Sequence, residues 1–498
     1  MLRTMSSVSK PLDAVCEIIS AHSETSKIDL SKISIQGMTQ SSNDVDPGDL
    51  FIALPGEKTH GAKFAAQAIT RGAVAVLTDE AGSKLVQGVP VIVAENPRRS
   101  AGVLSAWFHS EPMRDLYSVG ITGTNGKTTV TTLLHQIMSL AGRESGLIGT
   151  IETRIGNEVL TSKRTTPESS ELQALAAVMR ERHMRNLVME VSSHAIALER
   201  IRGSHFAVVG FTNLTQDHLD FHKSIENYFQ AKASLFTFEY ADLAVINIDD
   251  DYGLRLKEMT ELPVVTLSRS NQGAQWHYSR IEHEYFGATI SIRGTGGILI
   301  EGNVNLHGGY NYDNLLMAVA IAVESGIDPI DISSNLAKLQ GASGRLESIA
   351  VGQKFAAFVD YAHSPDAVAR VLETARELSK GRVIGVLGCG GDRDRSKRAA
   401  MGLALKQGSD IAIFTSDNPR SEKAESILQD MTQEIKNLDE KNIIIDRHEA
   451  IQSAVNYAQE GDLVIILGKG HETGQDILGE IHSFDDRIEL AKAIEEKK

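Results

Sequence analysis

Short apolar runs alternate along most of the chain with stretches whose apolar residues recur every three or four positions. Residues 49–54, 73–77 and 89–93 read as strands, the first of them after the turn Asp46-Pro47-Gly48. Residues 64–69 and 99–108 carry helical spacing. Residues 117–122 are apolar and β-branched, the pattern of a buried strand. Val130, Leu133, Leu134, Ile137, Met138 and Ala141 then follow at the spacing of one helix face. The buried-strand pattern returns at 187–191, 206–211 and 243–248. Residues 275–305 alternate like antiparallel strands, and 315–323 read as an apolar helix. Beyond residue 348, strands at 355–359, 383–387, 411–414 and 463–467 are separated by helical segments. That βαβα rhythm predicts a parallel, doubly wound sheet. A chain of 498 residues exceeds one core, so the elements are expected to form three α/β domains, 1–112, 113–345 and 346–498.

The chemistry concentrates where predicted strands end. Gly123-Thr124-Asn125-Gly126-Lys127-Thr128-Thr129 joins the strand at 117–122 to a helix, which is the context a phosphate-binding loop requires. Backbone N–H groups of such a turn, with the helix N-terminus behind them, attract an anion. Lys127 would reach the β- and γ-phosphates, and the Thr128 hydroxyl would ligate Mg²⁺. The strict pattern has a further glycine where this chain has Ile121, so the motif is a shortened variant. Glu190 and His218 lie at or just past strand ends and are candidates for the same magnesium. Arg393, Asp417, Asn418, Arg420 and Glu472 form a mixed-charge set at strand ends of the third domain. Such a set suits a zwitterion, with guanidinium forks for carboxylates and acids for ammonium groups. Read from its neighbours alone, Lys232 is a surface helix lysine, and Cys389, between two glycines, is a small loop residue.

Composition narrows the setting. The chain has 65 acidic and 50 basic residues, a formal charge of −15, which argues against a broad nucleic-acid footprint. The two cysteines, Cys16 and Cys389, offer no disulfide framework. The first residues carry no long apolar segment, so neither a signal peptide nor a membrane span is expected and a cytoplasmic location follows.

Taken together, Thr165-Thr166-Pro167, Glu190-Val191-Ser192-Ser193-His194, Asp217-His218-Leu219-Asp220, Asp360-Tyr361-Ala362-His363 and Asp417-Asn418-Pro419-Arg420 resemble the Mur ligase family, as does the loop at 123–129. The resemblance spans nearly the whole chain. It implies a small N-terminal α/β domain binding a UDP-muramoyl substrate, a central P-loop ATPase-like domain, and a C-terminal Rossmann-like domain binding an amino acid. The implied activity is an ATP- and Mg²⁺-dependent amide-bond ligase of peptidoglycan synthesis. Its substrates would be UDP-N-acetylmuramoyl-L-alanyl-D-glutamate and meso-diaminopimelate, with L-lysine as the alternative. A folylpolyglutamate synthase-like ligase and a nucleotide-driven switch or motor are the more distant readings. The family's ATP contacts correspond to Gly123, Thr124, Asn125, Gly126, Lys127, Thr128, Thr129, Asn311, Arg345 and Asp360. Its UDP-substrate contacts correspond to Ser42, Thr165, Thr166, Ser192 and Arg200, and its amino-acid contacts to Arg393, Asp417, Asn418, Pro419, Arg420, Gly468 and Glu472. By the same resemblance Lys232 is carbamylated and joins Thr128, Glu190 and His218 around the metal, replacing the surface reading. A monomer is expected, without nucleic-acid or membrane partners.

Overall fold

The computed structural model describes residues 3–4, 8–23, 28–56, 58–284, 287–436 and 438–497. Three sheets carry the architecture. The first has the strands Gly37–Thr39, Asp49–Ile52, Ala75–Thr78 and Val91–Val93 side by side and parallel, with the short antiparallel strand His22–Ser23 on one edge. The helix Pro97–Phe108 closes this unit. It starts where the Asn96 side chain accepts from Arg99 N–H, and it turns Ala101, Leu104 and Phe108 into the core.

The second sheet has eleven strands. The strand Tyr117–Thr122 lies inside it, between Asn186–Glu190 and Phe206–Phe211, both parallel to it. The strands that follow it in sequence go to opposite sides, so this is the switch point at which open α/β sheets leave a crevice. Register places the strand ends at one height, with Glu190 opposite Ile121 and Phe211 opposite Thr122. Antiparallel strands extend both edges. Glu152–Ile155 and Glu158–Thr161 do so on one side, Gly287–Arg293 and Leu299–Val304 on the other. The first of these hairpins was not foreseen, because its outer strand is short and exposed and shows no buried face to read. The helices Lys127–Leu140 and Gly309–Glu324 pack together beneath the sheet. Gly309–Glu324 buries residues on every side, which is why its pattern is apolar rather than amphipathic.

The third sheet orders its strands Glu347–Ser348, Ala356–Asp360, Leu463–Leu467, Val383–Leu387, Ile411–Phe414, parallel except the first. Asp360 and Leu387 both sit opposite Leu467, so the loops after these strands open at one edge. Behind that edge lies a fully buried ion pair. Arg447 Nε and Nη2 donate to the two Asp486 carboxylate oxygens, each at 2.7 Å, and the same guanidinium donates to Ser416 O and Leu467 O.

The chain enters the third sheet past a seam of bare backbone. Gly344 has φ +66°, and a Cβ there would lie 2.1 Å from His471 N. Gly470 has φ +54°, and its Cβ would lie 2.7 Å from Gly344 O. Neither position has room for a side chain.

Candidate active site

The loops of the second and third sheets face each other across a cleft of about 770 Å³. On one wall Gly126, at φ +90°, opens the helix Lys127–Leu140, and a Cβ there would meet Asn314 Oδ1 at 2.2 Å. Glycine is thus required twice over, by conformation and by space. Lys127 curls back so that its Nζ donates to Gly123 O and Thr124 O, each at 2.9 Å. Burial lowers its pKa, and Glu190 opposes that shift. Those two bonds hold a cation over the anion cradle.

Glu190, at the end of its strand, is almost fully buried. Its carboxylate accepts from Thr128 Oγ1 at 3.0 Å, from Thr150 N–H at 2.7 Å and from Thr150 Oγ1 at 3.0 Å. Thr150 was not anticipated from the sequence. It follows the strand Ser145–Ile148, and a threonine just past the end of a parallel strand was the available signal.

Lys232 overturns its surface reading, because it is only 1% exposed. The helix Ile225–Ala233 turns this lysine inward beneath the phosphate loop, with Nζ donating to Gly123 O at 2.7 Å and lying 4.6 Å from the Tyr228 ring centroid. Burial drives its pKa well below the usual lysine value, and the nearby Lys127 charge adds to the effect. An amine so placed is shifted toward its neutral, nucleophilic form.

His218 takes a left-handed backbone conformation, φ +54°, and points Nε2 toward Asp217 Oδ2 at 3.5 Å. Desolvation in the cleft lowers its pKa to about 4, against the pull of Asp217, so the ring is neutral at physiological pH. Thr128, Glu190 and His218 all line the cleft. Among the described residues no group of three or more His, Cys, Asp or Glu is gathered to hold a metal. The oxygens of Thr128 and Glu190 are hard donors beside an anion site, which suits a cation that shares its coordination with phosphate.

The opposite wall belongs to the third sheet. Asp360 accepts from Leu346 N–H at 2.6 Å and Ala362 N–H at 2.7 Å, and burial raises its pKa against the nearby Arg345. The Arg345 guanidinium lies 4.5 Å from the Tyr361 ring centroid. Asn418 donates to Glu472 Oε2 at 2.8 Å and accepts from Lys469 Nζ at 3.0 Å. Lys469 is fully buried and joins this set, although sequence reasoning assigned it no role. Arg420, at φ +52°, sends Nη1 to Gly391 O at 2.6 Å. Among the described residues neither Arg393 nor Arg420 forms an ion pair with an acid, although both line the cleft. Asp417 also lines it, and its side chain hydrogen-bonds to no described residue. Cys389 lines the cleft with its thiol packed on Met401, and burial pushes its pKa to about 12, so it is inert.

Of the remaining candidates, Thr165 and Ser192 line the cleft. Thr166 lies behind them, donating to Glu190 O at 2.9 Å and accepting from Ser192 N–H at 3.1 Å. Arg200 pairs with Glu168 at 2.9 Å and does not line the cleft. Asn311 supports it from inside the helix Gly309–Glu324, donating to His307 O at 2.9 Å. Ser42 lies on the first domain, where it donates to Gln67 Oε1 at 3.0 Å, away from the cleft. Gly123 and Pro419 contribute backbone behind the lining.

Comparison with known proteins places this arrangement. Three family profiles match: the Mur ligase family, catalytic domain, over residues 34–107; the Mur ligase middle domain over 121–322; and the Mur ligase, glutamate ligase domain, over 344–470. The UDP-N-acetylmuramoyl-L-alanyl-D-glutamate--2,6-diaminopimelate ligase of Streptomyces coelicolor is 45% identical over 468 residues, 92% of either chain. That of Streptomyces avermitilis is 44% identical over 470 residues, 93% of either chain. A solved structure of a ligase of the same name is similar with TM-score 0.69 at 30% identity, covering 98% of this chain and 99% of that one.

Proposed function

The chain belongs to the Mur ligase family, and on that premise we propose that it joins 2,6-diaminopimelate to UDP-N-acetylmuramoyl-L-alanyl-D-glutamate in peptidoglycan synthesis, at the expense of ATP. The observation that carries the reading is one cleft with a phosphate loop on one wall and, on the other, arginines that form no ion pair among the described residues beside a carboxylate that accepts no hydrogen bond from them. The relatives of that name, at 44–45% identity over more than nine-tenths of the chain, support the same substrates and disfavour lysine. They equally disfavour the folylpolyglutamate and motor readings.

The chemistry follows from the residues. Lys127 leaves the loop carbonyls for the phosphates, and the loop N–H groups neutralise the transferring γ-phosphoryl group. The D-glutamate γ-carboxylate attacks the γ-phosphorus, giving an acyl phosphate and ADP. The amine of the diamino acid then attacks the acyl carbon. The tetrahedral intermediate breaks its C–O bond, releasing phosphate and leaving an amide, while the amine loses its proton.

The unprotonated form of the Lys232 amine would add to CO₂: an N–C bond forms, one C=O π bond opens, a proton leaves the nitrogen, and the side chain becomes an anionic oxygen donor. A Mg²⁺ ion bound by Thr128, Glu190, His218 and the Lys232 carbamate would offset phosphate charge. The nucleotide contacts are those of 123–129 with Asn311, Arg345 and Asp360. Thr165, Thr166, Ser192 and Arg200 take the muramoyl dipeptide, and Ser42 takes its uridine end. Residues 1–112, 113–345 and 346–498 serve as the UDP-substrate, ATP and amino-acid domains. We infer a cytoplasmic monomer without nucleic-acid or membrane partners. Among the described residues no helix is long and apolar enough to cross a membrane.

Diaminopimelate differs from lysine by a carboxylate beside the distal ammonium. Arg420, with Arg393 near it, is the fork for that carboxylate, and Asp417 the acceptor for the ammonium. Lysine leaves the guanidinium unpaired, costing about 1–3 kcal/mol, or roughly tenfold or more in kcat/KM. The test is phosphate release from ATP in the presence of the muramoyl dipeptide and either amino acid. Wild type should prefer diaminopimelate and Arg420→Ala should lose the preference. Turnover of lysine at equal efficiency by wild type would sink the specificity, and absence of turnover with both would sink the ligase itself.

A further inference from the structure

His194 lies on the cleft wall between the groups proposed to activate the substrate carboxylate and those proposed to hold the muramoyl peptide. It is the second residue of the short helix Ser193–Ala197, whose N-terminal cap is Ser192. Its ring is held on three sides. Phe221 packs against it at a tilt, with centroids 4.3 Å apart, and His218 and His222 meet it edge-on at 4.7 and 5.5 Å. His222 is fixed in turn by Ser193 Oγ at 3.0 Å. Three aromatic contacts leave an imidazole little freedom to reorient.

The nitrogens of this ring have nothing to do inside the protein. Neither hydrogen-bonds to a described residue, and neither is among the buried polar atoms sealed from solvent. His194 nevertheless lines the cleft together with Thr128, Glu190, Thr165, Ser192 and His218. A packed polar ring that lines a substrate cleft and whose donor and acceptor atoms are unused is the form of a recognition group.

Resting on the ligase reading above, we propose that His194 is a specificity-determining residue that binds the α-carboxylate of the D-glutamate while the γ-carboxylate reacts. The two carboxyl carbons of glutamate are about 5 Å apart in an extended chain. The His194 and His218 rings are in contact, with centroids 4.7 Å apart, so a γ-carboxylate beside His218 leaves the α-carboxylate within reach of His194. One N–H to a carboxylate is a charge-assisted bond, and the α-carboxamide cannot accept it with equal strength.

The experiment compares UDP-N-acetylmuramoyl-L-alanyl-D-glutamate with its α-carboxamide, D-isoglutamine, counterpart, using wild type, His194→Phe and His194→Asn. Phenylalanine keeps the ring stacking and loses the nitrogens; asparagine restores a donor. Wild type is expected to favour the α-carboxylate substrate about 10- to 100-fold in kcat/KM. His194→Phe is expected to raise KM for that substrate by a similar factor and abolish the preference, with KM for ATP unchanged. His194→Asn recovers part of it. A His194→Phe enzyme that keeps the wild-type KM and preference overturns the proposal. If that variant does not fold, ¹⁵N NMR of the wild-type His194 ring decides: a shift with the α-carboxylate substrate but not with the α-carboxamide is expected, and identical spectra overturn it. Wild type that turns over neither substrate overturns the ligase reading; wild type that turns over both equally overturns only the role of His194.

Discussion

Removing the Asp486 carboxylate should damage the stability of the third domain and its amino-acid pocket together. Arg447 and Asp486 have no solvent exposure, so loss of the acid strands a guanidinium in the interior. Breaking a buried pair in this way costs about 3–5 kcal/mol. The two 2.7 Å bonds lead to the same range, at about 1.5–3 kcal/mol for each bond to a charged group. For a domain of this size, 1 kcal/mol corresponds to about 2–4 °C in Tm, so Asp486→Ala should lower its transition by roughly 6–20 °C. Function should follow, because the carbonyls held by Arg447 belong to Ser416 and Leu467, immediately before Asp417 and Gly468. Calorimetry of the full chain, with KM for diaminopimelate and for ATP measured below the transition, checks both. KM for the amino acid should rise more than KM for ATP. Arg447→Met combined with Asp486→Leu should recover much of the stability, since nothing charged is then left unpaired. An Asp486→Ala enzyme within about 1 kcal/mol of wild type, or a double variant no better than the single, would refute the reasoning.

Thr150→Val removes one of the hydroxyl bonds to Glu190 but keeps the backbone N–H bond, and should lower kcat about three- to tenfold, with stability changed by less than about 2 kcal/mol; steady-state kinetics and urea unfolding decide. Lys232→Ala should nearly abolish ligation without restoration by bicarbonate, and ¹³C NMR of wild type in ¹³C-bicarbonate should show a carbamate carbon absent from the variant; near-normal turnover would remove Lys232 from the mechanism. Burial holds the pKa of His109 at about 4, below the ordinary 6.5, so the unfolded chain takes up its proton at higher pH than the folded one. Its contribution to stability is complete above pH 6.5 and lost as pH falls toward 4, by about 3 kcal/mol, and His109→Phe should flatten urea midpoints across that window.

The strands and the phosphate loop were legible because their signals are local: an apolar run, then glycines, then helical spacing. The strand ends of the third sheet were legible for the same reason, since each polar loop follows its run directly. Lys232 was legible only through the family resemblance, because its own helix reads as amphipathic with the lysine outside, and only the loop folded over it removes water. Thr150 and Lys469 escaped because their partners, Glu190 and Asn418, are 40 and 51 residues distant and pairing across strands leaves no mark in sequence. The pair Arg447 and Asp486 was invisible likewise, since each residue alone reads as a helix-end charge.

The contact between Gly344 and Gly470 has a bearing on how this enzyme could be redesigned. Arg345 and Leu346, which adjoin the nucleotide wall, follow directly from the first glycine, and Glu472, on the amino-acid wall, follows the second by two residues. Side chains inside the cleft can be exchanged for others of different charge, because solvent or substrate fills what they leave. The backbone-to-backbone seam has no such reserve, and a single methyl group would displace the loops that carry Arg345 and Glu472 at once. A library aimed at new amino-acid substrates should therefore vary positions 417 and 420, keep Glu472 as the acid beside the buried Lys469, and hold 344 and 470 constant, although neither glycine contributes a side chain to the cleft.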